Sequence, residues 1–315
     1  MNLKKCTIFG VGFLGRYLIR SLSKKNYKCI IPTRNVFQKG YLKTQATNPG
    51  DIELIEFNTG NFATIKKAIE RSDFVVNLIG ILNQSRKNKF NKIHSDLPDM
   101  ISNLCANSDV KKLIHISAIG ANESSKSIYQ KTKYLGEQNV LKNFKNTVIL
   151  RPSVVVGQED QFTNLFAKLS FFPVIPVPNK NYRFQPIYVQ DVADAIIRAI
   201  EQKNNEGKIY EIGGPKIFTF EDMINTIMKI IGKKRFVIQM PMQLAKIQST
   251  IFDMLPFPPI LTRDQCQILS EGDNIVSEKN LKLSDLNITP TDIEKVMENW
   301  LWRYRSSGQF WRKKK

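Results

Sequence analysis

Two hydrophobic rhythms alternate along the first half of the chain. Nearly unbroken apolar runs recur at 4–10 (KKCTIFG), 27–33 (YKCIIPT), 52–57 (IELIEF), 72–80 (SDFVVNLIG), 110–117 (VKKLIHIS) and 146–152 (NTVILRP). Runs of this length with few polar breaks predict strands buried on both faces. Between them the spacing changes to that of a helix: Leu14, Leu18, Ile19 and Leu22 fall on one side of a segment starting at Phe13, and further helices are predicted over 61–72 and 127–141. Strand and helix in alternation define an α/β fold, a Rossmann-type doubly wound parallel sheet with helices on both faces.

After Pro152 the rhythm breaks into a Pro-rich stretch, FFPVIPVPNKNYRFQPIYV, followed by helical patterns at 190–202 and 220–232. The pattern therefore predicts a Rossmann-type domain over 1–151, to which a segment around 184–213 returns. Residues 152–315 are expected to form mainly a smaller lobe with a basic C-terminal tail. The stretch 244–261 mixes an amphipathic helix with an apolar Pro-rich run, and is expected to pack into that lobe. Neither an internal repeat nor a low-complexity tract interrupts the chain.

The turn after the first strand reads IFGVGFLGR and places Gly10, Gly12 and Gly15 in a G-x-G-x-x-G arrangement between a strand and a helix. In that context the glycines permit a tight turn and close approach of a pyrophosphate, and the helix N-terminus favours the anion. An NAD binder places an acidic side chain at the end of the second strand, against the ribose 2′-hydroxyl. Thr33 and Arg34 stand there instead, and a guanidinium suits a 2′-phosphate, so NADP(H) is expected over NAD(H). Tyr129 and Lys133 lie four apart on one helix, a spacing that lets the ammonium position a ribose and lower the pKa of the phenol for general acid–base work. They follow one element after Ser117, which ends the fifth strand at the ligand-binding edge of such a sheet. His94 and His115 are read as structural.

Composition adds a charge of +19, spread unevenly. Residues 1–150 carry 24 Lys and Arg against 10 Asp and Glu, whereas 151–315 carry 23 against 18, and six of those 23 lie in the tail from 303 to 315. Such a balance suits phosphate ligands, anionic lipid or an acidic partner. Without a stacking-aromatic motif or an arginine-rich stripe, nucleic acid is not the expected partner. Four cysteines without a C-x-x-C pair, and only two histidines, give no zinc set and fit reduced thiols. The first residues enter a strand at once, with no signal or transit peptide expected, and no run of 18 apolar residues predicts a membrane span.

These residues together resemble the extended or atypical short-chain dehydrogenase/reductases. VVNLIG, HISAIGA, YQKTKYLGE, LRPSVVVGQEDQFTNLFA, QPIYVQDVADAI, YEIGGPKIFTFEDM, LTRDQ and WRYRSSGQF narrow the likeness to the branch typified by the accessory 39-kDa subunit of respiratory complex I and its bacterial relatives. The resemblance implies Gly10, Gly12, Phe13, Leu14 and Gly15 at the pyrophosphate, and Thr33 and Arg34 at the adenosine end. It places Leu78 and Gly80 beside the adenosine ribose, Tyr129 and Lys133 at the nicotinamide ribose, and Pro152 with Ser153 near the nicotinamide ring.

Three departures stand out. The glycine turn is one residue shorter than the branch usually has, Asn58 replaces an Asp that meets the adenine, and Ala118 follows Ser117 where catalytic relatives carry further serines. Ser117 is therefore a latent catalytic position. The resemblance implies an accessory protein that holds NADP(H) in a respiratory or quinone-related assembly, peripheral to the inner membrane on its cytoplasmic side, with its basic tail at an anionic membrane surface. The alternative is an active NADP-dependent reductase, epimerase or dehydratase that uses Tyr129 and Lys133. RNA binding is a minor third.

Overall fold

The computed structural model describes residues 3–58, 61–85, 88–253, 261–306 and 308. In chain order the first elements are β1 (Lys4–Phe9), α1 (Phe13–Lys24), β2 (Tyr27–Thr33), β3 (Ile52–Glu56), α2 (Phe62–Ile69), β4 (Phe74–Asn77), α3 (Leu97–Ala106), β5 (Lys112–Ile116), α4 (Ile128–Asn143) and β6 (Thr147–Pro152). Then come β7 (Val155–Val156), α5 (Gln161–Leu169), β8 (Val174–Val177), β9 (Arg183–Phe184), β10 (Ile187–Tyr188), α6 (Val189–Glu201) and β11 (Ile209–Ile212). The last are β12 (Phe218–Thr219), α7 (Phe220–Ile231), β13 (Phe236–Gln239), α8 (Met242–Asp253), α9 (Arg263–Glu271) and α10 (Ile293–Leu301).

The chain divides into two compact units. The first comprises Met1–Pro152, Val189–Ile212 and Glu278–Thr289. Its seven-stranded sheet runs in the order β11-β6-β5-β4-β1-β2-β3, parallel throughout. Burial explains the unbroken apolar runs: every residue of β4 and β5 is buried, because helices cover both faces. On one face α2, α3 and α4 pack through Ile65, Ile69, Ile101, Leu104 and Val140 onto Val75, Leu113 and Ile149. On the other α1 and α6 lie against each other and bury Leu18, Ile19, Leu22, Ile196 and Ile200. The polar Lys112, at the start of β5, survives burial by donating to the carbonyls of Ala199 and Gln202 at the C-terminal end of α6 and to Asn205. The segment 278–289 reaches β11 through the bond from the Glu211 N–H to the Leu281 carbonyl.

The second unit comprises Ser153–Tyr188, Gly213–Ser277 and Pro290–Lys315. Its core gathers Phe166 of α5, Phe184 of β9, Ile224, Ile227 and Met228 of α7, and Met297 and Trp300 of α10. Trp300 donates its indole N–H to Thr163 at 3.2 Å. The amphipathic stretch at 244–261 packs only in part as expected: Leu261 lies against the core of the second unit. Its helix α8 buries the small Ala245 and Ser249 and leaves Leu244 and Ile247 exposed. Residues 254–260, and the tail beyond Ser306 apart from Gly308, lie outside the described residues. Among the described residues no helix is long and apolar enough to cross a membrane.

Candidate functional site

The sheet order reverses direction between β1 and β4, and ligands of open parallel sheets gather outside the carboxyl ends of strands at such a point. Two turns meet there. The Gly12 N–H bonds the Gly10 carbonyl at 2.8 Å, and the Leu78 N–H bonds the Phe9 carbonyl at 2.9 Å, so the chain ends β1 and β4 in register. Gly10 has φ +85°, and a Cβ on it would stand 2.7 Å from the Ile79 nitrogen. Only glycine fits there, for backbone and for space. Gly12 differs, because nothing lies within 4 Å of where its Cβ would stand. Gly12 is the N-cap of α1, whose first turn has neither a side-chain cap nor an acidic residue, so its amide donors face that space. Gly15, in contrast, is buried against Val11 and serves the packing of turn on helix. Phe13 and Leu14 open α1, with the Phe13 ring edge-on to Tyr17 at 5.8 Å.

The remaining sequence-predicted positions of the first unit line the same edge. Thr33 ends β2, buried, with its carbonyl accepting the Phe57 N–H, while Arg34 beyond it is exposed and bonds no described residue. Asn58, after β3, is exposed. Leu78 and Gly80 follow β4, Ser117 follows β5, and Pro152 ends β6 with its carbonyl accepting the Ile119 N–H at 3.1 Å. Ser153 belongs to the second unit, where its hydroxyl contacts the Asn274 side chain at 2.6 Å and accepts the Gln185 N–H.

Helix α4 carries the Tyr129 and Lys133 pair, and starts at Ser127, whose side chain accepts the Gln130 N–H. Lys133 is almost wholly buried. Its ammonium donates to the Ile116 carbonyl at 3.0 Å and stands 3.4 Å from where a Cβ of Gly80 would be. Burial lowers its pKa from 10.5 to about 8, against the opposing pull of Glu137. Ser117 is 3% exposed, and its Oγ bonds no described residue. An ammonium with spare donors and an orphaned buried hydroxyl are features that fit a polar ligand.

Sequence reasoning missed a supporting cluster. His94 sits in a π-helical turn, Lys92–Asp96, that leads into α3, and accepts the Ile81 N–H through Nε2 at 3.1 Å while Nδ1 meets Thr132 at 3.2 Å. Its ring stands edge-on to Tyr129 at 5.2 Å and stacks on Phe90 at the same distance. Burial and then the Lys133 charge hold His94 down to about 2 and His115 to about 3, so both rings are neutral. His115 Nδ1 pairs with Asn77, whose Oδ1 accepts the Ile79 N–H. A turn further along α4, buried Glu137 receives both Nε and an Nη of Arg151 at 2.8 and 2.6 Å. Helix α4 reaches this position because residue 136 is glycine; a side chain there would overlap the His94 carbonyl.

Fold and site define a doubly wound dinucleotide-binding protein of the short-chain dehydrogenase/reductase type. More particularly, the chain belongs to the NAD-dependent epimerase/dehydratase family, whose model matches residues 6–213. It is 28% identical over 305 residues to the mitochondrial NADH-ubiquinone oxidoreductase 40 kDa subunit of Neurospora crassa, covering 96% of this chain and 80% of that one. The mitochondrial NADH dehydrogenase [ubiquinone] 1 alpha subcomplex subunit 9 of Mus musculus is likewise 28% identical, over 95% of this chain and 80% of its own length. Among solved structures, the UDP-glucuronic acid 4-epimerase of Bacillus cereus, in complex with UDP-glucuronic acid and NAD, superposes with a TM-score of 0.71. It shares 18% identity and covers 95% of this chain and 98% of its own.

Proposed function

We propose that this chain is an accessory protein of a respiratory membrane assembly and retains NADP(H) chiefly as a structural group. Its relatives of N. crassa and mouse, matched over most of both chains, carry the names of subunits of NADH-ubiquinone oxidoreductase. The observation that carries the structural role is the uneven survival of the site. Four features support the holding of a dinucleotide: the open space at Gly12, the uncapped amides of α1, Arg34 beyond β2, and the buried ammonium of Lys133. The serine expected after Ser117 is Ala118, so proton transfer there has lost a hydroxyl.

In this reading the amides of the first turn of α1 bind the pyrophosphate, Arg34 selects the 2′-phosphate, and Lys133 with Tyr129 holds the nicotinamide ribose. A bound nicotinamide dinucleotide supplies hydride transfer, and this chain makes little use of it. The basic tail, and the small unit that bears it, face the assembly. Gentle purification from the native membrane tests the reading: NADP(H) should be released on denaturation, and respiratory subunits should copurify. A protein isolated free of any membrane assembly and of nucleotide would refute it.

One observation favours turnover instead. Ser117 Oγ is buried and bonds no described residue, one element before Tyr129 and Lys133. A reductase or epimerase could use that hydroxyl, with Tyr129 as acid or base and Lys133 positioning the ribose. Tyr129→Phe would then abolish a turnover that the wild type performs on a substrate panel, with nucleotide still bound. Absence of turnover in the wild type leaves the structural role.

A further inference from the structure

A second feature lies wholly within the second unit and is not used by the nucleotide site. Strands β8 and β13 pair in parallel, with Phe236 opposite Val174 and Ile238 opposite Pro176. Side chains alternate across such a ribbon. Ile175, Val177 and Val237 turn inward to the core, while Val174, Pro176, Phe236 and Ile238 turn outward. The outward set is as apolar as the inward one, but it has no core to enter: Phe236 is 75% exposed and Ile238 48%. Immediately before β8, Phe171 and Phe172 are 83% and 55% exposed, with their rings edge-on at 5.7 Å.

The two segments that form this face carry charge of one sign. Segments 161–190 and 223–252, which contain both strands, hold eight Lys and Arg and no Asp or Glu. Two of the eight, Lys180 and Arg183, are taken by ion pairs with Glu221 and Asp273. Lys168, Lys233, Lys234 and Arg235 form no ion pair with any described residue. Lys233 and Arg235 donate to the side chain and carbonyl of Ser170, which fixes both cations beside Phe171.

We infer that this β8–β13 face docks on an anionic phospholipid surface. Exposed phenylalanines edged by long cationic side chains match the bilayer boundary: rings enter the acyl region and ammonium groups stay among the phosphates. Five of the six cations of these segments that form no ion pair with a described residue are lysine, a residue depleted from protein–protein interfaces. The inference shares only a membrane location with the proposed function, and does not need the nucleotide.

Cosedimentation of the full chain with vesicles tests it, using phosphatidylcholine alone and phosphatidylcholine mixed with phosphatidylglycerol. The protein should bind the mixed vesicles, weakly the neutral ones, and release as salt rises. Each of Lys233→Gln and Lys234→Gln should weaken binding about fivefold. The double variant Phe171→Ser with Phe236→Ser should weaken it more than about tenfold. Phe171, Phe236 and Lys234 are exposed and Lys233 is half-buried with one side-chain bond, so nucleotide content should not change and the thermal midpoint should hold for Lys234→Gln, and unchanged nucleotide with lost vesicle binding separates this face from the cofactor reading. Failure of the wild type to bind the mixed vesicles would overturn the inference. So would undiminished binding by the two lysine variants and the Phe double variant, including the case where neutralising 312–315 alone abolishes it. A wild-type dimer that the Phe double variant dissociates would assign the face to a second copy and also overturn it.

Discussion

Lys133→Met tests whether the site is built for a ligand at the expense of the fold. Burial lowers the Lys133 pKa from 10.5 to about 8, which corresponds to about 3 kcal/mol against the folded, charged state. Methionine fills a similar volume without charge, and loses the hydrogen bond to the Ile116 carbonyl, worth about 1 kcal/mol or somewhat more. The nucleotide-free variant should therefore be about 1–2 kcal/mol more stable than the wild type at pH 7. The sign with pH follows from the lowered pKa. Between about 8 and 10.5 the unfolded chain binds the proton that the folded chain has lost, so wild-type stability rises through that window. The advantage of the variant is thus constant below about pH 8, closes at about pH 9 to 9.5 as the wild type gains, and is reversed by pH 10. Urea unfolding of stripped protein at pH 7 and pH 10 measures both quantities, and nucleotide retention should fall in the variant. A variant less stable than the wild type at pH 7, or one whose advantage is the same at pH 10, would refute the reasoning.

The two turn glycines should separate stability from binding. Gly10→Ala, with φ +85° and the Ile79 backbone in its way, should cost about 1–3 kcal/mol by thermal or urea unfolding. Gly12→Ala, which meets nothing, should unfold close to the wild type yet lose nucleotide in a fluorescence titration. Arg34→Ser should lower NADPH affinity about ten- to a hundredfold and leave NADH affinity unchanged, read by calorimetry. Gly136→Ala should push α4 away from the His94 carbonyl and cost about 1–3 kcal/mol, with the loss visible in urea midpoints.

The parallel sheet was legible because its strands are buried on both faces: β2 spans the apolar run 27–33 residue for residue. The glycine turn was legible because strand, turn and helix are contiguous in sequence. Helix α3 was not, since Lys- and Asn-rich residues precede it and Pro98 reads as a break. In the structure Pro98 occupies the first turn, where a missing N–H costs nothing. Strand β11 was missed for lack of length, four residues at the edge of the sheet. The spacing of Tyr129 and Lys133 is local and could be read; the edge-on packing of His94 on Tyr129 joins residues far apart in sequence and leaves no periodic trace. The same holds for the return of 278–289 to the first unit, which rests on the backbone bond from Glu211 to Leu281 and on Leu283 and Leu286, buried from a short turn that shows no periodicity.

The fit of Gly10 against the Ile79 amide couples two loops that sequence separates by almost 70 positions. The Leu78 N–H also bonds the Phe9 carbonyl, so the two loops are expected to open together. The loops after β1 and β4 therefore form one hinge-free clasp, and amide exchange at Val11, Gly12, Ile79 and Gly80 should slow together when nucleotide is added.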